Sequence, residues 1–206
     1  MKPWLALVLA LCVPQALAGT DPPVIVEQVS DKLFTLVDAN RAAYRADPAD
    51  LQREVREHLL SHVDILYSAR LVLGQHGREL DTDKVEAFAH ALANLLVRRY
   101  ADGLLEFKSR DQMQILPAQS GNTERMTRVR TKVRLTNGSE AAVDYVFRRK
   151  DGTWLVFDVI IEGISYVATF RTQIGEEIRR DGFDRVLARL ESGELQLEEV
   201  VHDEAA

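Results

Sequence analysis

The spacing of apolar positions along the chain changes near residue 110 and changes back after residue 163. Over residues 21–106, apolar residues recur every three or four positions, which predicts amphipathic helices. Over residues 124–136, valine and leucine alternate with arginine and lysine, which is typical of a half-buried strand. Helical spacing returns over residues 164–192. The pattern therefore predicts helices first, then a sheet, then closing helices.

The predicted strands are joined by short turns. Residues 112–117, 124–136, 139–150 and 153–162 form the strands. Asn137-Gly138 and Asp151-Gly152 each favour a two-residue hairpin, which makes successive strands antiparallel neighbours. With two-residue turns, Val129 lies opposite Val146, and Val146 lies opposite Phe157.

This register assigns the side chains to two faces of the sheet. The expected apolar face carries Val129, Val133, Leu135, Val146, Leu155, Phe157, Val159 and Ile161. The expected opposite face carries the basic row from Arg128 to Arg134, together with Tyr145, Phe147, Trp154, Val156 and Asp158. The apolar face is the natural partner of the helices. We therefore expect an α+β fold, a curved antiparallel sheet meander packed against several helices, in which the curvature encloses an apolar pocket.

The first residues predict export. "MKPWLALVLALCVPQALAGT" contains Lys2, a short apolar stretch and a small-x-small site ending at Ala18, so residues 1–18 read as a signal peptide. The single cysteine, Cys12, lies inside this segment, so a mature chain has no disulfide and no thiolate chemistry. A secreted chain with a large core and no disulfide fits a bacterial periplasm.

The remaining residues, 19–206, are expected to form one domain, with no linker or internal repeat. The closing "ELQLEEVVHDEAA" is an acidic tail that we expect to be partly disordered. The whole chain has a formal net charge of −6. This negative balance argues against nucleic acid as a partner, because nucleic-acid binding favours basic surfaces.

Ser165 is the first candidate for chemistry, because it lies in a strand–turn–helix segment. A nucleophile elbow needs glycine on both sides of the serine, but here Gly163 precedes it and Val167 stands at the second glycine position. The next histidine along the chain is His202, in the tail. The favoured interpretation is a serine that caps the following helix.

Other candidate groups also have ordinary structural explanations. His58 and His62 have the spacing of two metal ligands on a helix, but Leu59 replaces the glutamate of a zinc hydrolase. Asp158 and Glu162 share one strand face and could act in acid–base chemistry or stabilise a hairpin. The basic row could bind phosphate or an acidic partner, or could be a solvated strand face. None of these groups is a strong catalytic candidate, and apolar residues are in excess on the predicted sheet and helices. The sequence therefore favours binding over catalysis.

The segment "WLVFDVIIEGISYVATFRTQIGEEIRRDGFDRVLARL" (154–190) resembles the signature of the MlaC family, also called the toluene-tolerance auxiliary family. The matching residues are Trp154, Val156, Phe157, Asp158, Val159, Glu162, Gly163, Ser165, Phe170 and Arg171. "HVDILYSARLVLG" (62–74) and "LLVRRYADGL" (95–104) fit as well. The chain departs from the family after Gly74, where Gln75-His76-Gly77 follows and the family usually has an aromatic residue.

The resemblance implies a periplasmic phospholipid-binding protein with a nuclear-transport-factor-2-like fold and a deep apolar pocket. Such a protein ferries phospholipid between an outer-membrane lipoprotein complex and an inner-membrane ABC transporter complex, which maintains outer-membrane lipid asymmetry. It implies no cofactor, no metal and no catalytic residue. We expect the protein to be a monomer.

The expected lipid-binding residues come from the predicted apolar face and from the helices that cover it. They are Leu92, Leu96, Tyr100, Val129, Val133, Val146, Leu155, Phe157, Val159, Ile161, Tyr166 and Phe170. Two other functions stay open at this point, a secreted chaperone or interaction module and a hydrolase on the same scaffold. Bound lipid in the purified protein would separate the carrier from both.

Overall fold

A computed structural model describes residues 20–118 and 121–197. The predicted signal peptide and the tail beyond Leu197 lie outside the described residues. Within them, every helix is too short or too polar to cross a bilayer.

The described chain has the predicted order of helices, sheet and helices. Its α-helices are α1 (Pro22–Ala46), α2 (Pro48–Leu59), α3 (Ile65–Leu73), α4 (Thr82–Tyr100), α5 (Tyr166–Asp181) and α6 (Phe183–Ser192). Its strands are β1 (Met113–Ile115), β2 (Met126–Arg134), β3 (Glu140–Lys150), β4 (Thr153–Ile161) and β5 (Ile164–Ser165). The five strands pair in chain order and all pairs are antiparallel. The predicted α+β meander is confirmed.

Aspartate side chains cap the N-termini of α2, α3 and α4. Asp47, Asp64 and Asp81 each accept a hydrogen bond from a backbone N–H in the following first turn, at 3.0, 3.1 and 2.8 Å. These contacts satisfy N–H groups that have no partner within the helix, and they place negative charge at its positive end.

The turn between β2 and β3 differs from the prediction. Leu135 donates its backbone N–H to the Ser139 carbonyl at 2.8 Å, and Gly138 donates to the Leu135 carbonyl at 3.0 Å. The connection therefore has three residues, 136–138, and Gly138 occupies the left-handed region with φ 89°. The predicted two-residue turn is wrong. Val129 lies opposite Tyr145 instead of Val146, so the faces of β3 are exchanged.

A β-bulge in β4 causes a second correction. Val146 pairs with Asp158, whereas its neighbour Phe147 pairs with Val156, so Phe157 is the extra residue. We call the face that carries buried Val129 the inner face. It carries Val129, Thr131, Val133, Val143, Tyr145, Phe147, Trp154, Val156, Val159 and Ile161, as the register assigns them. Val146 and Leu155, which we expected on this face, share the outer face with the basic row.

The buried side chains form three clusters. One lies among α3, α4, α5 and α6 and includes Phe88, Ile174 and Leu190. A second joins α1 and α2 to the end of α4. The third lies between the start of α1 and the inner face, where Ile25 and Val26 pack with Val129 and Phe147. Through this third cluster, α1 packs against the inner face of the sheet.

The first residues of the predicted tail are part of the core. Leu195 and Leu197 are only 2% and 3% exposed and pack in the cluster of α3 to α6. Leu195 donates its N–H to the Arg189 carbonyl at 3.0 Å, and the Arg99 guanidinium donates to the Leu197 carbonyl. Residues 194–197 are therefore an ordered part of the predicted tail, and the expected partial disorder of the tail stays a prediction.

Candidate functional site

Part of the inner face is only half-buried, although it is apolar and faces the helices. Val143, Tyr145, Val159 and Ile161 keep intermediate exposure, whereas Phe147 beneath α1 is fully buried. Apolar side chains in a close-packed interior would be buried on all sides. We infer that the helices leave a recess over this part of the sheet, and we call these four residues the inner recess.

The surroundings of Tyr145 support this interpretation. Its side chain keeps accessible surface, yet burial raises the pKa of its phenol above the usual value of 10.0. An accessible group in bulk water would not lose its hydration. The phenol is therefore largely desolvated, although the residue as a whole keeps some accessible surface.

Three of the expected lipid-binding residues meet where α4 ends and α5 begins. The ring of Tyr166 lies edge-on to Tyr100 and to Phe170, with centroid distances of 5.9 and 5.6 Å. Phe170 is buried in the cluster of α3 to α6, whereas Tyr100 is 37% exposed. We call these three rings the aromatic junction, which runs from the core to the surface.

The other expected lipid-binding residues occupy several places. Val129, Val133, Val159 and Ile161 share the inner face, as expected. Leu92 is buried among α3 to α6, and Leu96 packs partly buried against the same cluster. Val146 and Leu155 lie half-buried on the outer face. Phe157 is buried at the bulge, where its ring meets Tyr67 edge-on at 5.1 Å.

Asp158 and Ser165 fix the start of α5. The Asp158 carboxylate accepts hydrogen bonds from the Val167 N–H at 3.0 Å and from the Ser165 hydroxyl at 2.6 Å. The Ser165 oxygen in turn accepts a hydrogen bond from the Ala168 N–H at 3.0 Å. The predicted cap is confirmed, and Asp158 adds an anion at the positive end of the helix.

Glu162 and Gly163 form the corner between β4 and β5. Both have positive φ, 48° and 83°, which only glycine adopts freely. Glu162 is held in this conformation because its carboxylate accepts from the Ala142 N–H and its own N–H donates to the Ala142 carbonyl. Asp158 and Glu162 therefore bind different backbone groups and build the turn from sheet to α5.

Two distant parts of the family pattern touch at Gly74. This residue ends α3 with φ 53°, and a Cβ added there would lie 2.8 Å from the Arg171 side chain. Any larger residue would displace the arginine. Gly74 thus permits close approach between the end of α3 and α5.

A buried ion pair attaches α3 to the sheet. Asp64 is 5% exposed, accepts from the Arg148 guanidinium at 2.8 Å and donates its backbone N–H to the Val156 carbonyl at 2.8 Å. The same guanidinium lies 4.1 Å from the centre of the Tyr67 ring, a cation–π contact. These contacts cover the edge of β4 that β5 leaves free.

Two surface concavities carry charged side chains in their linings. One of about 500 Å³ is lined by Tyr67, Arg125, Met126, Arg148, Arg149 and Gly152. Another of about 300 Å³ lies beside β1 and includes Lys132, Arg134 and Glu140. Neither includes a residue of the inner recess. Arginine and lysine side chains in both linings distinguish them from the apolar inner recess.

The two candidate histidines, His58 and His62, do not lie in one cluster of possible metal ligands. His58 groups with Glu54 and Glu57 on α2, with possible ligand atoms within 4.8 Å of one another, and His62 is not part of this group. Exposed acidic groups of this kind are common on helices. We assign them no ligand.

The chain resembles known proteins over most of its length. A family model described as "MlaC protein" matches residues 27–192. An "Intermembrane phospholipid transport system binding protein MlaC" of Haemophilus influenzae is 27% identical over 185 residues, which cover 88% of this chain and 86% of that protein. A "Toluene tolerance protein ttg2D" of Pseudomonas putida is 25% identical over 168 residues, 81% of this chain and 77% of that protein.

A solved structure has the same fold. It is a phospholipid-binding protein from Ralstonia solanacearum in complex with a phospholipid, with a TM-score of 0.72 and 18% identity. The match covers 83% of this chain and 99% of that chain.

Proposed function

Because the chain belongs to the MlaC family, we propose that it is a periplasmic carrier of diacyl phospholipid. In this proposal it moves lipid between an outer-membrane lipoprotein complex and an inner-membrane ABC transporter complex, and so maintains lipid asymmetry. The name of the Haemophilus influenzae relative and the phospholipid in the Ralstonia solanacearum structure support the ligand class. The observation that carries the proposal is the incomplete burial of the four inner-recess side chains on the inner face of the sheet.

A phospholipid carrier must shield acyl chains from water. Transfer of an acyl chain out of water gains about 0.8 kcal/mol for each buried CH₂ group, so free lipid crosses an aqueous space very slowly. A soluble carrier must therefore supply an apolar space that is not already filled by its own side chains. The inner recess meets this requirement, because its apolar side chains remain partly accessible.

We propose that the acyl chains lie between the inner face and the aromatic junction. From the sheet, Val129, Val133, Val159 and Ile161 would contact lipid, and from the helices Leu92, Leu96, Tyr100, Tyr166 and Phe170 would do so. Tyr100 is the most exposed of these residues, so the junction offers a route from the surface to the interior.

The direct test is lipid analysis of the mature protein. We expect protein purified without detergent to contain stoichiometric diacyl phospholipid when it is extracted with organic solvent and measured by mass spectrometry. Delipidated protein should also take up phospholipid from vesicles. A folded protein that contains no lipid and takes none up would contradict the carrier function. Released fatty acid and lysolipid would instead indicate a hydrolase.

A further inference from the structure

Tyr145 has an unusual position for a residue with a polar end. It lies on β3 between Val129 of β2 and Val159 of β4, which are its cross-strand partners. Its ring packs against the cluster formed by α1 and the inner face. Both cross-strand neighbours of Tyr145 are therefore aliphatic and offer no side-chain partner to its hydroxyl.

The Tyr145 hydroxyl has no hydrogen-bond partner among residues 20–118 and 121–197. Burial by itself accounts for the raised pKa of this phenol, with no contribution from a hydrogen bond or a nearby charge. The hydroxyl oxygen is not among the buried side-chain atoms that lack a partner, so it keeps accessible surface on the inner face. A donor that is accessible and has no partner within the protein can donate to a molecule that lies against the inner face.

The position fits a function in ligand binding. A diacyl phospholipid has two ester carbonyls at the junction between its apolar tails and its charged head group. Each is a neutral acceptor that enters an apolar recess along with the acyl chains. A phosphate in the same place would be an unpaired buried charge, since the basic row lies on the opposite face of the sheet.

We propose that the Tyr145 hydroxyl donates a hydrogen bond to an ester carbonyl of the bound lipid. This inference rests on the proposed carrier function and adds a specificity-determining residue to it. The bond fixes how deeply the lipid lies in the recess, because the carbonyl stands at a set position along the acyl chain. It also favours ester-linked diacyl lipids over ether-linked dialkyl lipids, whose ether oxygens are weaker acceptors.

The test compares two proteins with two lipids. Binding of an ester-linked phosphatidylethanolamine and of its ether-linked analogue, with the same head group and chain lengths, is measured for wild type and Tyr145→Phe. We expect the substitution to weaken binding of the ester lipid by about three- to tenfold, the usual effect of one neutral hydrogen bond. Binding of the ether lipid should change less than twofold.

Tyr44→Phe is the matched control, because Tyr44 is buried in the separate cluster of α1 and α2. It removes one phenolic hydroxyl without touching the inner face, and we expect unchanged binding of both lipids. Thermal unfolding of all three proteins checks that each is folded.

An infrared measurement gives an independent readout. With lipid labelled by ¹³C at the ester carbonyls, the wild-type complex should show a carbonyl band at lower frequency that is absent in Tyr145→Phe. Equal affinity of wild type and Tyr145→Phe for the ester lipid, or equal losses for both lipids, would overturn the inference. If wild type binds neither lipid, the carrier function itself fails, which is a separate result.

Discussion

Ser165 shows how a residue that suggests catalysis serves a structural role. Its hydroxyl donates to Asp158 and its oxygen caps α5. We expect Ser165→Ala to lower the free energy of unfolding by about 1 kcal/mol, the usual effect of a lost helix cap. Denaturant unfolding measures this change, and lipid extracted from the variant should equal that of wild type. A folded variant that had lost lipid transfer would instead support the alternative hypothesis of a hydrolase.

Val159 and Val146 allow the two faces of the sheet to be compared by single substitutions. Val159→Glu places a charge in the inner recess, where an unpaired carboxylate loses its hydration and repels acyl chains. Val146→Glu places the same charge on the outer face, opposite Arg128. We expect the first variant to lose bound lipid and the second to keep it, as measured by mass spectrometry of the purified proteins. Lipid loss from Val146→Glu alone would contradict the observed register.

At the scale of elements, the segment 194–197 packs two leucines into the core of α3 to α6. Leu195→Ala should lower the free energy of unfolding by about 2–5 kcal/mol, because it leaves a cavity in the core of α3 to α6. Gln196, which lies between the two buried leucines, is exposed. Gln196→Ala is therefore the matched control and should change stability by less than about 0.5 kcal/mol. Similar stability of the two variants would show that segment 194–197 does not stabilise the core.

At the scale of the whole molecule, the basic row was the candidate docking surface on an acidic protein. Lys132 pairs with Glu140 at 2.9 Å, Arg128 approaches Asp144 at 3.5 Å and Arg130 donates to the Pro117 carbonyl. These partners on the same protein favour a solvated strand face over a docking site. We expect Arg130→Glu with Lys132→Glu to keep both bound lipid and its rate of transfer.

Transfer to the membrane complexes across a range of salt concentrations is the measurement for that double variant. Charges that guide docking change the association rate most at low salt. Slower transfer by the variant at low salt, with lipid still bound, would show that the row does bind an acidic partner.

The sequence by itself determined the order of elements and several local devices. Helical and alternating periods reflect which side of an element meets the core, so the period located the helices and the strands before any tertiary contact was known. Ser165 as the cap of α5 also follows from local chemistry. Such features depend on neighbours a few residues away, which the sequence shows directly.

Only the tertiary structure decided which side chains of β3 face the helices. One extra residue in the turn at Gly138 reversed the faces of β3 and of the start of β4, and the bulge at Phe157 returned Val159 and Ile161 to the expected face. Because side chains alternate along a strand, a shift of one residue moves Tyr145 inward and Val146 outward. The turn sequence is compatible with two- and three-residue hairpins, and Tyr145 and Val146 are both apolar enough for either face. The choice between them was made by packing against α1 and by distant strand pairing, which no local pattern records.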